Sequence, residues 1–198
     1  MKHYRAVFID WDDTIGDFHG AAKKALQEMY EKYHLCHYFA SHEEFISLYK
    51  SHNIELWDKY GKNLVSKEYV ALLEGAEEIV RYLAAKYPLT VVTNGFVEVQ
   101  YEKFEKSGLK DCFAHIVLSE EVGYQKPNPR IFEEALRMNG LDASEVVMIG
   151  DSFSSDIAGA NATGIDTIWL AQSDNITDEQ RKVATHIVTS LQEIKQIL

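Results

Sequence analysis

The chain has 198 residues, 46% of them apolar, and a formal charge of −11 at pH 7. That length suits one domain, or one domain with a modest insertion, and supplies enough apolar material for a core. The acidic balance excludes a protein that grips a nucleic-acid backbone, which needs clustered Lys and Arg, and no apolar run is long enough to span a membrane. Neither point excludes a small phosphorylated ligand, because a bound metal can supply positive charge locally. Cys36 and Cys112 form no Cys-x-x-Cys pair and no disulfide framework. An acidic cluster comes so early that it leaves no room for a signal peptide, so a cytoplasmic protein is expected.

Ala6-Val7-Phe8-Ile9 is an apolar run without alternation, as in a strand buried on both faces. It leads into Asp10, Asp12 and Asp13 with no basic residue nearby. Carboxylates this close repel one another unless a cation compensates. A divalent metal at Asp10 is one reading; an acidic turn after a core strand is the other. From Ala21 to Tyr33 apolar and aromatic residues recur at helical spacing. Ser41 followed by Glu44 looks like a capping box opening a second helix, with Phe45, Leu48 and Tyr49 on one face. Further short helices are expected over 54–60 and 67–72. Phe45, Tyr49, Trp57 and Tyr60 could stack on a base, but the interior of a small helical unit accounts for them as well. His34, Cys36 and His37 fall short of a zinc site for want of a distant partner motif.

From Leu73 onward helix and strand alternate. Helices are expected over 76–86, 97–107, 129–138, 157–162, 177–184 and 191–197. Strands are expected over 89–93, 115–118, 146–149, 167–170 and 186–188. Gly108 and Gly140 stand past helix ends, and Pro129 near a helix start, each where the residue is favoured. Alternation of this kind implies crossover units: an α/β fold with a doubly wound, Rossmann-like parallel sheet. The core would comprise 1–15 and 72–198, with 16–71 an inserted α-helical domain.

A parallel sheet brings its strand ends to one edge, where such folds bind ligands. Asp10, Asp12 and Thr14 follow the first strand, Thr93 and Asn94 the second, and Asp151 the fourth, with Asp156 five positions on. Pro127 biases Lys126 toward an extended backbone, which helps present its side chain inward. Asp10 and Asp151 are natural ligands for a hard cation such as Mg²⁺. A carboxylate can attack phosphorus, and Mg²⁺ with Lys126 would screen the negative charges that meet there. Asp12, two residues on, is placed to protonate the leaving oxygen and then deprotonate water. Thr93, with Asn94 beside it, offers a polar group to a phosphoryl oxygen. Asp156 could equally be an acid in the first turn of a helix.

Asp10-x-Asp12-x-Thr14, Thr93, Lys126-Pro127 and Gly150-Asp151-x-x-x-x-Asp156, in that order, resemble the haloacid dehalogenase superfamily of phosphotransferases. The resemblance implies Asp10 as nucleophile and metal ligand. It implies Asp12 as general acid/base with its backbone carbonyl on the metal, Thr93 and Lys126 as phosphate binders, and Asp151 as metal ligand. Asp156 would be a second acid supporting the metal site or Lys126. The hydrolytic dehalogenases of that superfamily lack an acid at the position of Asp12, so phosphate chemistry is implied here. The inserted helices correspond to the family's first type of cap. Thr93-Asn94-Gly95-Phe96, Ser107-Gly108-Leu109 and Ser119–Gly123 look like the pyrimidine nucleotidase branch and are also similar to acylneuraminate 9-phosphate phosphatases.

The expected function is Mg²⁺-dependent hydrolysis of a nucleoside monophosphate through an aspartyl-phosphate. A sugar phosphatase and a phosphomutase are the enzymic alternatives. A non-catalytic receiver-like module is the alternative of another class, and Asp12 and the insertion count against it. The expected partner is a small phosphorylated metabolite, with no nucleic acid and no membrane, for a monomer or homodimer.

Overall fold

The computed structural model describes residues 2–60, 71–173 and 175–198, with backbone alone at 52–60. The chain divides into two compact units, one of Met1–Gly16 with Leu72–Leu198 and the other of Asp17–Ala71.

The first unit is built on six parallel strands: β1 (Ala6–Ile9), β2 (Leu89–Thr93), β3 (His115–Leu118), β4 (Val146–Gly150), β5 (Asp166–Leu170) and β6 (His186–Val188). Their order is β3-β2-β1-β4-β5-β6. β1 is central: Val7 pairs with Leu89 on one side and Val147 on the other. The chain reverses its direction of travel across the sheet between β1 and β4, which is where open sheets of this order form a crevice.

β1 has no wet face. Val7 and Ile9 pack with Ile79, Val80 and Leu83 of α3 (Ala76–Ala84) and with Phe104 of α4 (Val97–Ser107). Ala6 and Phe8 pack with Ile131, Phe132 and Ala135 of α6 (Pro129–Asn139) and Ala160 of α7 (Ala158–Ala162). Helices on both faces explain why the strand reads as an unbroken apolar run. α5 (Ser119–Val122) follows β3, and α8 (Asp178–Val183) precedes β6. Gly108 and Gly140 close α4 and α6 with φ of 68° and 62°, a left-handed conformation that glycine adopts without strain.

Three details depart from the periodicity. Asp156 and Ile157 belong to a π-helical turn over Phe153–Ile157 ahead of α7. The closing element, Leu191–Gln196, is a 3₁₀ helix. The second unit holds α1 (Phe18–Lys32) and α2 (His42–Tyr60), and α2 runs unbroken through the stretch where a separate helix over 54–60 was expected. In α2, Phe45 is buried against Tyr30 and Phe39, while Leu48 is exposed. The helix expected over 67–72 falls largely outside the described residues. No helix among the described residues is long and apolar enough to cross a membrane.

Candidate active site

Where β1 ends the chain turns sharply. The Trp11 carbonyl accepts from the N–H groups of Ile15 at 2.9 Å and Gly16 at 2.8 Å. Asp13 takes a left-handed φ of 60° at the corner. The turn folds Thr14 back beneath Asp10, and the Trp11 ring points away into the core, edge-on to Phe104. Thr14 is fully buried. Its hydroxyl accepts from the Asp151 N–H at 3.0 Å and faces Asp151 Oδ1 at 3.2 Å and Asp10 Oδ2 at 3.4 Å.

Lys126 reaches this point from the loop after α5. Its ammonium donates to Asp10 Oδ1 at 2.5 Å, Asp156 Oδ1 at 2.7 Å and the Val92 carbonyl at 2.7 Å. Three donors meet three acceptors, which is what a buried ammonium requires. Both ends of the Asn94 amide fix the backbone that carries it: Nδ2 donates to the Lys126 carbonyl at 3.0 Å, and Oδ1 accepts from the Lys126 N–H at 2.7 Å. Asp156 is fully buried, and its other oxygen accepts from the Ser152 N–H at 3.0 Å. Gly150 is required beside it, because a Cβ there would stand 2.4 Å from Asp156 Oδ2.

Asp10, Asp151 and Asp156 each offer a carboxylate oxygen, and these lie within 4.8 Å of one another. Three carboxylates against one ammonium leave an excess of negative charge. Burial pushes Asp10 well above the usual carboxylate range, with the Lys126 charge opposing the rise. Asp151 is pushed up to about 6, mainly by burial and then by the charges of Asp156 and Asp13. Burial alone would lower Lys126, but Asp10 and Asp156 outweigh it and hold the lysine above its ordinary value. A cluster that disfavours its own ionisation and offers hard oxygens fits a divalent cation.

The sequence-derived candidates thus separate into two groups. Asp10, Lys126, Asp151 and Asp156 meet directly, with Asn94 behind Lys126. Asp12 and Thr93 meet through Gln100, and Lys103 pairs with Asp12 alone; no sequence motif marks either residue. Lys103 Nζ lies 2.7 Å from Asp12 Oδ1; Gln100 Nε2 lies 2.8 Å from Asp12 Oδ2 and 3.3 Å from Thr93 Oγ1. Trp169, whose Nε1 donates to the Asp151 carbonyl at 2.8 Å, is likewise unmarked in the sequence. The available signal was spacing: Gln100, Lys103 and Phe104 share one face of α4.

The family model for haloacid dehalogenase-like hydrolases matches residues 7–170. The HAD-hydrolase YfnB of Bacillus subtilis is 27% identical over 232 residues, covering all of this chain and 97% of YfnB. Its crystal structure, bound to magnesium, superposes with a TM-score of 0.80 over 100% of this chain and 99% of that one. The pyrimidine 5′-nucleotidase YjjG of Escherichia coli is 38% identical over 127 residues, 64% of this chain and 56% of YjjG. The glyceraldehyde 3-phosphate phosphatase of Pyrococcus furiosus is 25% identical over all of this chain and 94% of that enzyme. A family match across most of the chain, joined to the Rossmann-like strand order and the acidic cluster at its crevice, makes this chain a member of the haloacid dehalogenase-like hydrolase family.

Proposed function

We propose that the chain is a Mg²⁺-dependent phosphomonoester phosphatase that works through an aspartyl-phosphate on Asp10. One observation carries this reading: the buried Asp10 carboxylate has Oδ1 held by Lys126 at 2.5 Å, while Oδ2 faces the Thr14 hydroxyl at 3.4 Å. One oxygen is anchored and the other is oriented, an arrangement suited to in-line attack on phosphorus. Asp10 and Asp151, with Asp156 behind them and the Asp12 carbonyl alongside, would hold Mg²⁺, which supplies positive charge toward the phosphoryl oxygens.

Asp10 forms a bond to phosphorus as the bond to the leaving oxygen breaks. Asp12 gives that oxygen a proton. In the second half Asp12 takes a proton from water, which attacks phosphorus and frees Asp10 and phosphate. Thr93 offers its hydroxyl to the phosphoryl group, Lys126, with its three donors held by Asp10, Asp156 and the Val92 carbonyl, contributes positive charge beside the phosphoryl oxygens, and Asn94 fixes the Lys126 backbone.

The substrate class we favour is a pyrimidine nucleoside monophosphate, supported by the similarity to YjjG and to the pyrimidine 5′-nucleotidase PynA of Streptococcus pneumoniae. A sugar phosphate is the second reading, supported by the full-length similarity to the P. furiosus phosphatase. A phosphate-release screen over nucleotides and sugar phosphates, with Mg²⁺ and with chelator, tests the reaction and the substrate together. Release that chelator leaves untouched, or no release from any phosphomonoester, overturns the proposal.

A further inference from the structure

We infer that Gln100 and Lys103 are positioning residues that clamp the Asp12 carboxylate for both halves of the reaction. The inference rests on the phosphatase reading above. The two side chains project one turn apart from the same face of α4 and divide the two oxygens of Asp12 between them, Lys103 on Oδ1 at 2.7 Å and Gln100 on Oδ2 at 2.8 Å. Gln100 is 2% exposed and Lys103 8%. Burying an ammonium and an amide inside a helix face is costly unless each finds a partner, and Asp12 is a partner common to both.

Three features set this apart from an ordinary ion pair. The clamp lies behind the acid: the Lys103 side chain is 10% exposed and that of Asp12 is 26% exposed. Gln100 also reaches the Thr93 hydroxyl at 3.3 Å, tying the acid to a phosphate-binding candidate, while its Oε1 is buried with no hydrogen-bond partner among the described residues. Finally, Gly95 leaves room for the clamp, since a Cβ there would stand 2.5 Å from Gln100 Nε2. Held at both oxygens, Asp12 cannot swing away between giving its proton to the leaving oxygen as the carboxylic acid and, as the carboxylate so formed, taking one from water. Neither clamp residue need touch the substrate.

The test compares Lys103→Met, Lys103→Arg, Gln100→Leu, Asp12→Asn and the Asp12→Asn/Lys103→Met double variant. The probes are glycerol 3-phosphate, whose leaving oxygen needs a proton, and 2,4-dinitrophenyl phosphate, whose leaving group does not. Lys103→Met is expected to lower kcat on the alkyl ester about tenfold or more while KM moves less than about threefold. On the dinitrophenyl ester it is expected to show a burst of about one leaving group per site, because hydrolysis of the phosphoenzyme is now slow. Lys103→Arg should recover part of the loss, and Lys103→Met should add nothing in the Asp12→Asn background. A higher KM with kcat unchanged, an equal loss in the presence and absence of Asp12, or no loss at all overturns the inference. If Lys103→Met does not fold, Gln100→Leu is read on the same substrates with the same outcomes deciding. Full turnover by Asp12→Asn would instead strike the phosphatase reading itself.

Discussion

Thr14 and Asp151, distant in sequence, are joined through a single hydroxyl that accepts from the Asp151 N–H at 3.0 Å and lies 3.2 Å from its carboxylate. That hydroxyl locks the turn after β1 to the end of β4. Thr14→Val keeps the shape and removes the bond, leaving a part-buried N–H without its acceptor. A loss of about 1–3 kcal/mol is expected in urea unfolding, with weaker binding of Mg²⁺ in a metal titration.

Asp10→Asn is expected to fold normally, because the amide oxygen can still accept from Lys126 and Asp156 still balances that ammonium. Turnover should fall on the order of 10⁴-fold or more, as when a nucleophile is removed. Phosphate release checks the second statement and thermal unfolding the first.

Lys126→Met leaves Asp10 and Asp156 facing each other without their shared cation. Breaking a buried pair from one side costs about 3–5 kcal/mol, so the variant should unfold at markedly lower denaturant and show no turnover. A variant as stable as the parent would remove Lys126 from the centre of the site.

Stability without magnesium should fall with rising pH. Asp151 titrates near 6 in the folded chain instead of 3.8, so between those values the folded state holds a proton that the unfolded state has released. Stability from this group is full below about pH 4 and falls by about 2–3 kcal/mol as pH rises through about 6. Asp10, raised by burial, acts in the same direction. Mg²⁺ should therefore raise the melting temperature more at pH 7.5 than at pH 5, and equal shifts at the two pH values would contradict this.

Gly150→Ala places a methyl group against Asp156, and a cost of about 1–3 kcal/mol is expected from overpacking. The same variant should lose activity, since the displaced carboxylate is one of the two that hold Lys126.

The legible parts of the sequence were those in which local pattern and tertiary role agree. Ala6–Ile9 is covered on both faces, so burial appears directly as an apolar run, and the acids at its end stand where the sheet places them. Lys126 was legible because it is the one charged residue in the loop from Gly123 to Pro129, set directly before a proline. Gln100 and Lys103 were not, because inside a helix the same letters describe a solvated face. Only the packing of α4 against β1 and β2 turns that face inward. The π-helical turn at Phe153–Ile157 carries Asp156, whose partner Lys126 lies far upstream in the chain, so no local pattern marks it.

The central place of β1 carries a consequence for how activity appears during folding. Residues 6–9 must pair with 89–91 and 146–149 before the acids downstream of them can meet Lys126. Closing chain segments that long is slow compared with winding local helices. In a refolding experiment helical signal should return early and catalysis last, so turnover would report completion of the sheet.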